Sequence, residues 1–289
     1  MRIDQLLRRP APTFSFEFFP PRDEPGMRDL YRTIGALERY RPDYVSITYG
    51  AGGSTRALTI QLVCMIKEET GLETMAHLNA IGASRAELGE LLDRLARAGI
   101  ENVLPLRGDP PQGTTQFVRP ADGFGYASEF VEFIRQRYDN TFCLAGACYP
   151  QKHPEAPDHE TDLGNLKRKV DAGVDCLITQ LFFDNDHYFS FVSRARRAGI
   201  QVPIVPGIMP ITNVRQIQRF AATCGVEIPA ALRQRLEPVS DNPARVRAIG
   251  IEHATRQCRE LLDSGAPGIH FYTLNRSPAT IGILEALRR

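Results

Sequence analysis

Two hydrophobic rhythms alternate along the chain. Short apolar runs that read as buried strands fall at 14–19, 44–48, 74–78, 102–106, 142–147, 176–179, 202–205 and 269–272. Between them, apolar positions recur at helical spacing over roughly 27–39, 56–69, 84–98, 126–137, 160–172, 186–198, 212–223 and 243–263. Five helical stretches end at a glycine shortly before an apolar run, at Gly71, Gly99, Gly173, Gly199 and Gly265, where a left-handed cap costs little. Strict β/α alternation with nearly continuous apolar strands predicts a parallel sheet covered by helices. Eight such units predict an α/β fold, a closed (β/α)8 TIM barrel, as one domain over residues 1–289. A doubly wound open sheet is the alternative. Its dinucleotide fingerprint finds only the weak match Gly50-Ala51-Gly52-Gly53-Ser54-Thr55, which lacks a glycine at 55 and reads better as a flexible βα loop.

Composition narrows the partners. The 289 residues carry 35 Lys+Arg against 34 Asp+Glu, a net charge of +1, so no global field favours nucleic acid or an anionic membrane. A small-molecule partner is expected. The six cysteines include no CxxC pair and read as buried thiols of a reducing cytoplasm, not as a disulfide frame or zinc site. The first ten residues are too short in apolar run for a signal peptide, and no later stretch reaches membrane-span length. The expectation is a soluble, cytoplasmic protein.

Chemistry in a parallel barrel collects at the C-terminal ends of the strands. Read in order, those ends carry Glu17, Thr48 and Tyr49, His77, Arg107-Gly108-Asp109, Tyr149 with His153, Gln180 and Arg276. Each has a plain structural reading: a hydrogen-bonded core histidine, a loop ion pair, a glutamine on a neighbouring backbone group. Their common placement favours a functional face. Glu17 lies inside Phe14-Ser15-Phe16-Glu17-Phe18-Phe19, where desolvation among phenylalanines would raise its pKa toward the range of a proton donor. Strand alternation allows the other outcome, an edge carboxylate that reaches water. His153 and His159 fit no metal spacing, GxSxG is absent, and no cysteine has a histidine partner in sequence. Asp162, Asn165 and Lys169 fall at i, i+3 and i+7, flanked by Arg168. Near a helix start such a face would hold a phosphate and a ribose; the alternative is a solvated charged face.

Together, Phe16-Glu17-Phe18-Phe19-Pro20-Pro21, Ser46-Ile47-Thr48-Tyr49-Gly50-Ala51, Leu106-Arg107-Gly108-Asp109, Tyr149-Pro150 with His153-Pro154-Glu155, Leu166 to Gly173, Ile178-Thr179-Gln180 and Phe271 to Arg276 closely resemble the bacterial methylenetetrahydrofolate reductase family. The motifs run in the expected order over nearly the whole chain. The resemblance implies a flavoprotein barrel that reduces 5,10-methylenetetrahydrofolate to 5-methyltetrahydrofolate for methionine synthesis. FAD would be reduced first by NADH or NADPH, and the two substrates would take turns in one pocket. Glu17 matches the general acid that protonates folate N10, opening the five-membered ring to an iminium ion that accepts hydride from flavin N5. Asp109 matches the aspartate near flavin and pterin.

The same resemblance implies FAD contacts at Tyr49, Ala51, His77, Arg107, Gly108, Asp109, Tyr126, Tyr149, His153, Asp162, Asn165, Arg168 and Lys169. Thr48 matches a nicotinamide contact, and Gln180 a glutamine shared by folate and nicotinamide. Gln216, Phe220 and Arg276 match folate positions, with Arg276 placed to pair with the glutamate carboxylate. No metal is implied, and a homo-oligomer is. Two further expectations concern segments. Residues 110–124 lengthen the fourth crossover and read as a lid or a surface loop. The chain ends at Arg289, leaving no room for the regulatory domain of eukaryotic relatives or for inhibition by S-adenosylmethionine.

Overall fold

All the apolar runs become parallel strands in the computed structural model, which describes residues 1–49, 55–109, 118–119 and 121–288. The strands are β1 (Thr13–Phe18), β2 (Tyr44–Ile47), β3 (Thr74–Asn79), β4 (Asn102–Leu106), β5 (Cys143–Cys148), β6 (Cys176–Thr179), β7 (Ile204–Val205), β8 (Gly207–Ile208) and β9 (Gly268–Tyr272). Their order in the sheet is β7-β6-β5-β4-β3-β2-β1-β9-β8. Only Pro206 separates β7 from β8. Having no amide hydrogen, it interrupts the ladder, so one strand position pairs with β6 through its first half and with β9 through its second. The sheet therefore closes on itself, and nine segments occupy the eight positions of the expected TIM barrel. The closing strand must pass very close to its neighbours: a Cβ on Gly207 would lie 2.3 Å from the Thr179 carbonyl oxygen.

The helices are α1 (Ile3–Leu6), α2 (Glu24–Glu38), α3 (Arg56–Thr70), α4 (Arg85–Arg97), α5 (Ala127–Tyr138), α6 (His159–Asp171), α7 (Asn185–Arg197), α8 (Val214–Cys224), α9 (Ala230–Leu236), α10 (Pro243–Asp263) and α11 (Pro278–Leu287). All five predicted glycine caps adopt positive φ, between 70° and 117°. The helix predicted from 27 starts three residues earlier, because Asp23 caps it by accepting from the Gly26 amide at 2.8 Å. Helices α1, α9 and α11 are additions to the predicted set. One turn at α1 is too short to show a period, and α11 is apolar around most of its circumference.

Alternation along each strand sorts side chains into two cores. Phe16, Phe18, Val45, Ile47, Ala76 and Leu78 pack outward beneath the helices. Tyr44, Met75, Leu104, Cys143, Cys176 and Val205 fill the lower barrel interior, where Ile3, Leu6 and Leu7 plug the N-terminal end. All six cysteines are free thiols. The apolar plug leaves the upper interior to polar residues.

Candidate active site

Strands β1 and β9 build the centre of the upper interior. Their register sets Ser15 beside His270 and Glu17 beside Tyr272, while β2 brings Ser46 level with Glu17. Glu17 is 7% exposed. Its surroundings differ from those the phenylalanine run predicted, because a period of two turns Phe16 and Phe18 into the outer core. Phe19, 40% exposed, lies at the rim. Two histidines face the carboxylate instead: His270 Nε2 lies 3.4 Å and His77 Nε2 3.5 Å from Glu17 Oε2. The Thr273 hydroxyl donates to the Glu17 carbonyl at 2.6 Å and holds that strand end in place.

His270 continues the contact inward. Its Nδ1 is 2.7 Å from Ser15 Oγ, and its ring stacks on Tyr44 with centroids 6.1 Å apart. With Nε2–H directed at a carboxylate, Nδ1 accepts from the Ser15 hydroxyl, so Ser15, His270 and Glu17 form a hydrogen-bonded chain. His77 is different. Burial pushes its pKa down, Glu17 pulls it up and His270 adds to the depression, which favours a neutral imidazole. Among the described residues its Nε2 finds no aligned hydrogen-bond partner, and neither does Asn79 Oδ1, two residues on along β3. Buried polar atoms without partners are uncommon, and both lie on the interior face of one strand near its C-terminal end.

A cavity of about 600 Å³ opens at the C-terminal ends of β4 and β5, walled by α6 and the start of α5. Eight of the residues expected to hold FAD line it: Arg107, Tyr126, Tyr149, His153, Asp162, Asn165, Arg168 and Lys169. Arg107 makes a two-point pair with Glu155, both distances 2.7 Å, which lowers the Glu155 pKa and raises that of Arg107. Lys169 Nζ donates to the Ala147 carbonyl at 2.5 Å, and burial lowers its pKa. Asp162 accepts from the His153 amide at 3.1 Å, the Tyr149 and His153 rings meet edge to face at 4.6 Å, and Arg168 donates to Asn165. Burial raises the Tyr149 pKa and lowers that of His153. One detail of the expectation is corrected. Arg168 and Lys169 sit in the last turn of α6, so its N-terminal amides are not beside them. Helix α5 presents its N-terminus to the cavity through Ala127 and Ser128 after Tyr126, whose side chain makes no cap, and α6 lines it with Thr161 and Asp162 of its first turn as well.

The other expected positions spread around the mouth. Gly108 takes φ +86°, and a Cβ there would lie 2.6 Å from Ile81, so the chain passes this point only as glycine. Asp109 is exposed after β4, and Thr48 is buried after β2. Tyr49 turns its ring into the strand–helix core, and its hydroxyl accepts from Arg56 at 2.7 Å. Gln180 is half-buried at the end of β6, its carboxamide oxygen on the Leu181 amide. Gln216 and Phe220 are half-buried on α8, and Phe220 packs on the apolar cluster above the barrel. Arg276 is exposed and lines a separate cavity. Ala51 lies outside the described residues, as do 110–117 and 120 of the long crossover. The far end of that crossover is anchored by Phe124, fully buried against Phe130 and Phe133.

Sequence reasoning missed Ser15, Asn79, Glu155 and His270. The signal for His270 was present, since Ile269-His270-Phe271-Tyr272 alternates as Phe14-Ser15-Phe16-Glu17 does, and parallel pairing sets the two polar faces together.

Comparison with known proteins identifies the arrangement. Residues 2–288 match the family model described as methylenetetrahydrofolate reductase. The 5,10-methylenetetrahydrofolate reductase of Escherichia coli (strain K12) is 39% identical over 273 residues, 94% of this chain and 90% of that protein. Methylenetetrahydrofolate reductase (NADH) 1 of Arabidopsis thaliana is 41% identical over 295 residues, 99% of this chain and 50% of that protein. The chain thus spans about half the length of its plant relatives. Among solved structures, an uncharacterized protein from Clostridium thermocellum, which binds two copies of 5-methyl-5,6,7,8-tetrahydrofolic acid, shares the fold. Its TM-score is 0.61 at 15% identity, over 99% of this chain and 98% of that one.

Proposed function

We propose that this chain, which belongs to the methylenetetrahydrofolate reductase family, reduces 5,10-methylenetetrahydrofolate to 5-methyltetrahydrofolate with FAD as cofactor and NADH or NADPH as electron donor. The observation that carries this reading is the Ser15–His270–Glu17 chain, with a buried carboxyl at the active end of β1. Glu17 is the general acid, delivering a proton to folate N10 as the five-membered ring opens. Once its proton has left, the carboxylate accepts from the Nε2–H of His270, whose Nδ1 then accepts from the Ser15 hydroxyl. His77, favoured neutral, places no cation beside Glu17.

The residues present suit FAD. Three cations, Arg107, Arg168 and Lys169, share the cavity with the N-terminus of α5, as a pyrophosphate requires. Asp162 and Asn165 would accept from hydroxyl groups, and His77 Nε2 and Asn79 Oδ1, which make no hydrogen bond among the described residues, offer polar contacts at the barrel mouth. When bound, FAD supplies the hydride chemistry. Thr48 and Gln180 receive the nicotinamide, and Gln180 with Asp109 the pterin, so nucleotide and folate exclude one another and the reaction alternates in ping-pong fashion. Gln216, Phe220 and Arg276 hold the rest of the folate. Among the described residues no helix is long and apolar enough to cross a membrane. The reading extends to a homo-oligomeric cytoplasmic enzyme, one barrel domain, serving methionine synthesis.

Anaerobic mixing tests it. The purified protein should carry a yellow flavin that NADH or NADPH bleaches and methylenetetrahydrofolate then restores, with methyltetrahydrofolate as product. A colourless protein that takes up no FAD, or a reduced flavin indifferent to the folate, would overturn the assignment.

A further inference from the structure

Backbone pairing between β1 and β9 ends with Glu17 opposite Tyr272. Beyond that point, side chains of the loop between β9 and α11 take over from the ladder. The Thr273 hydroxyl donates to the Glu17 carbonyl, and Asn275 engages both polar groups of the Phe19 backbone. The Phe19 N–H donates to Asn275 Oδ1 and Asn275 Nδ2 donates to the Phe19 carbonyl, each at 2.8 Å. On the other side of β1, the Thr48 amide donates to the Phe18 carbonyl at 2.9 Å. The carbonyls of residues 17, 18 and 19 are therefore each held, and the segment that carries Glu17 moves only if these bonds break.

The loop adopts a costly backbone to make this contact. Leu274 (φ 52°) and Asn275 (φ 56°) are consecutive left-handed residues, and neither is glycine. Asparagine enters this region more readily than most residues, and leucine does not. Such strain persists only where surrounding contacts over-determine it, and it collects at functional sites. Two further bonds fix the turn: the Thr33 hydroxyl of α2 donates to the Asn275 carbonyl at 3.1 Å, and the Arg276 amide donates to the Thr273 carbonyl at 3.0 Å. Glycine at 275 would relieve its share of the strain but give up both bonds to Phe19.

Asn275 thus joins two segments that the folate reading above makes functional. Glu17 stands two residues before Phe19, and Arg276, the residue expected to hold the folate glutamate, directly follows Asn275. We propose that Asn275 is a positioning residue that fixes the proton donor and the folate arginine relative to each other, so that a folate held at its tail by Arg276 presents N10 to Glu17. This rests on the folate reading and deepens it. Asn275 does not line the flavin cavity, so its effect belongs to the folate half-reaction. Placement matters steeply there, since a displacement of about 1 Å costs about 10²-fold in rate.

The variant Asn275→Gly provides the test, because glycine accepts the left-handed turn and lacks only the carboxamide. In anaerobic stopped-flow on the holoenzyme, flavin reduction by NADH or NADPH should keep its rate, while reoxidation by methylenetetrahydrofolate slows by about 10- to 10²-fold. The folate Kd should rise about tenfold, the worth of one charge-assisted hydrogen bond. Asn275→Asp keeps the acceptor for the Phe19 amide and loses the donor, so its rate should fall between those of Asn275→Gly and the wild type. A double-mutant cycle reads the coupling itself: in an Arg276→Ala background, Asn275→Gly should change the folate Kd by less than about twofold. Hydrogen exchange at the Phe19 amide should quicken in Asn275→Gly, a readout independent of turnover. Wild-type folate kinetics in Asn275→Gly would reduce Asn275 to a turn former and overturn the proposal. Equal losses in both half-reactions, the mark of general damage, would also overturn it, as would an undiminished effect in the Arg276→Ala background. Failure of the folate reading itself is separable, since the wild-type flavin would then ignore the folate while the Phe19 amide still responded to the variant.

Discussion

Glu17 shows how little of a residue's environment its sequence neighbours supply. Four phenylalanines surround it in the chain, yet β-pleating sends Phe16 and Phe18 to the opposite side and Phe19 to the rim. What faces the carboxylate comes from far along the chain: His77 from β3 and His270 from β9. A proton donor in this position needs a carboxyl that water reaches poorly and a partner that stabilises the anion left behind, and burial with His270 provides both. The variant Glu17→Gln keeps the shape and the His270 contact but has no acidic proton. FAD binding and its reduction by nicotinamide nucleotide should persist, while folate reduction falls by about 10²-fold or more. Stopped-flow measurement of the two half-reactions separates these effects, and normal folate turnover would remove Glu17 from the role. Its candidacy was readable from the chain, because a lone carboxylate in an apolar run at a strand end is conspicuous; its partners were not.

At the scale of elements, terminators were more legible than contacts. Glycines at 71, 99, 173, 199 and 265 mark the ends of helices because left-handed φ is cheap only there, a local property. The charged face of α6 was also readable, since 162, 165 and 169 share a face on any helix. Which helix ends line the cavity depends on packing, and the start of α5 joins that of α6 there. Helix α10 carries a third buried histidine, with a measurable consequence. His253 Nδ1 faces the Arg256 guanidinium at 3.3 Å, and burial together with that charge pushes its pKa from 6.5 to about 4. Between these values the unfolded chain binds the proton and the folded one does not. Stability is therefore at its full value above about 6.5 and declines as pH falls toward about 4. The loss amounts to at most about 3 kcal/mol. Thermal melts of His253→Gln and wild type should show a wild-type disadvantage that widens across this window; parallel curves would refute the assignment.

The whole molecule divides into an apolar end and a polar end. At the N-terminal end, Ile3, Leu6 and Leu7 close the barrel over an apolar interior; at the other, Glu17, His77, Asn79 and the cation-lined cavities collect. Leu6→Ala should cost about 2–4 kcal/mol through the cavity it leaves, lowering Tm by roughly 5–10 °C. Flavin affinity should stay the same, and a comparable loss of FAD in a titration would contradict the division. By itself the sequence determined the β/α alternation, the parallel barrel and eight of the residues that line the cavity at the ends of β4 and β5. These follow from period and punctuation, which are local. Tertiary structure alone decided that Pro206 splits the closing strand, that α1 forms the plug, that Arg276 points into its own cavity, and that Ser15 meets His270 across 255 residues. Those outcomes depend on strand register and ring closure, which no local pattern encodes, because each is settled by every strand finding both of its neighbours at once.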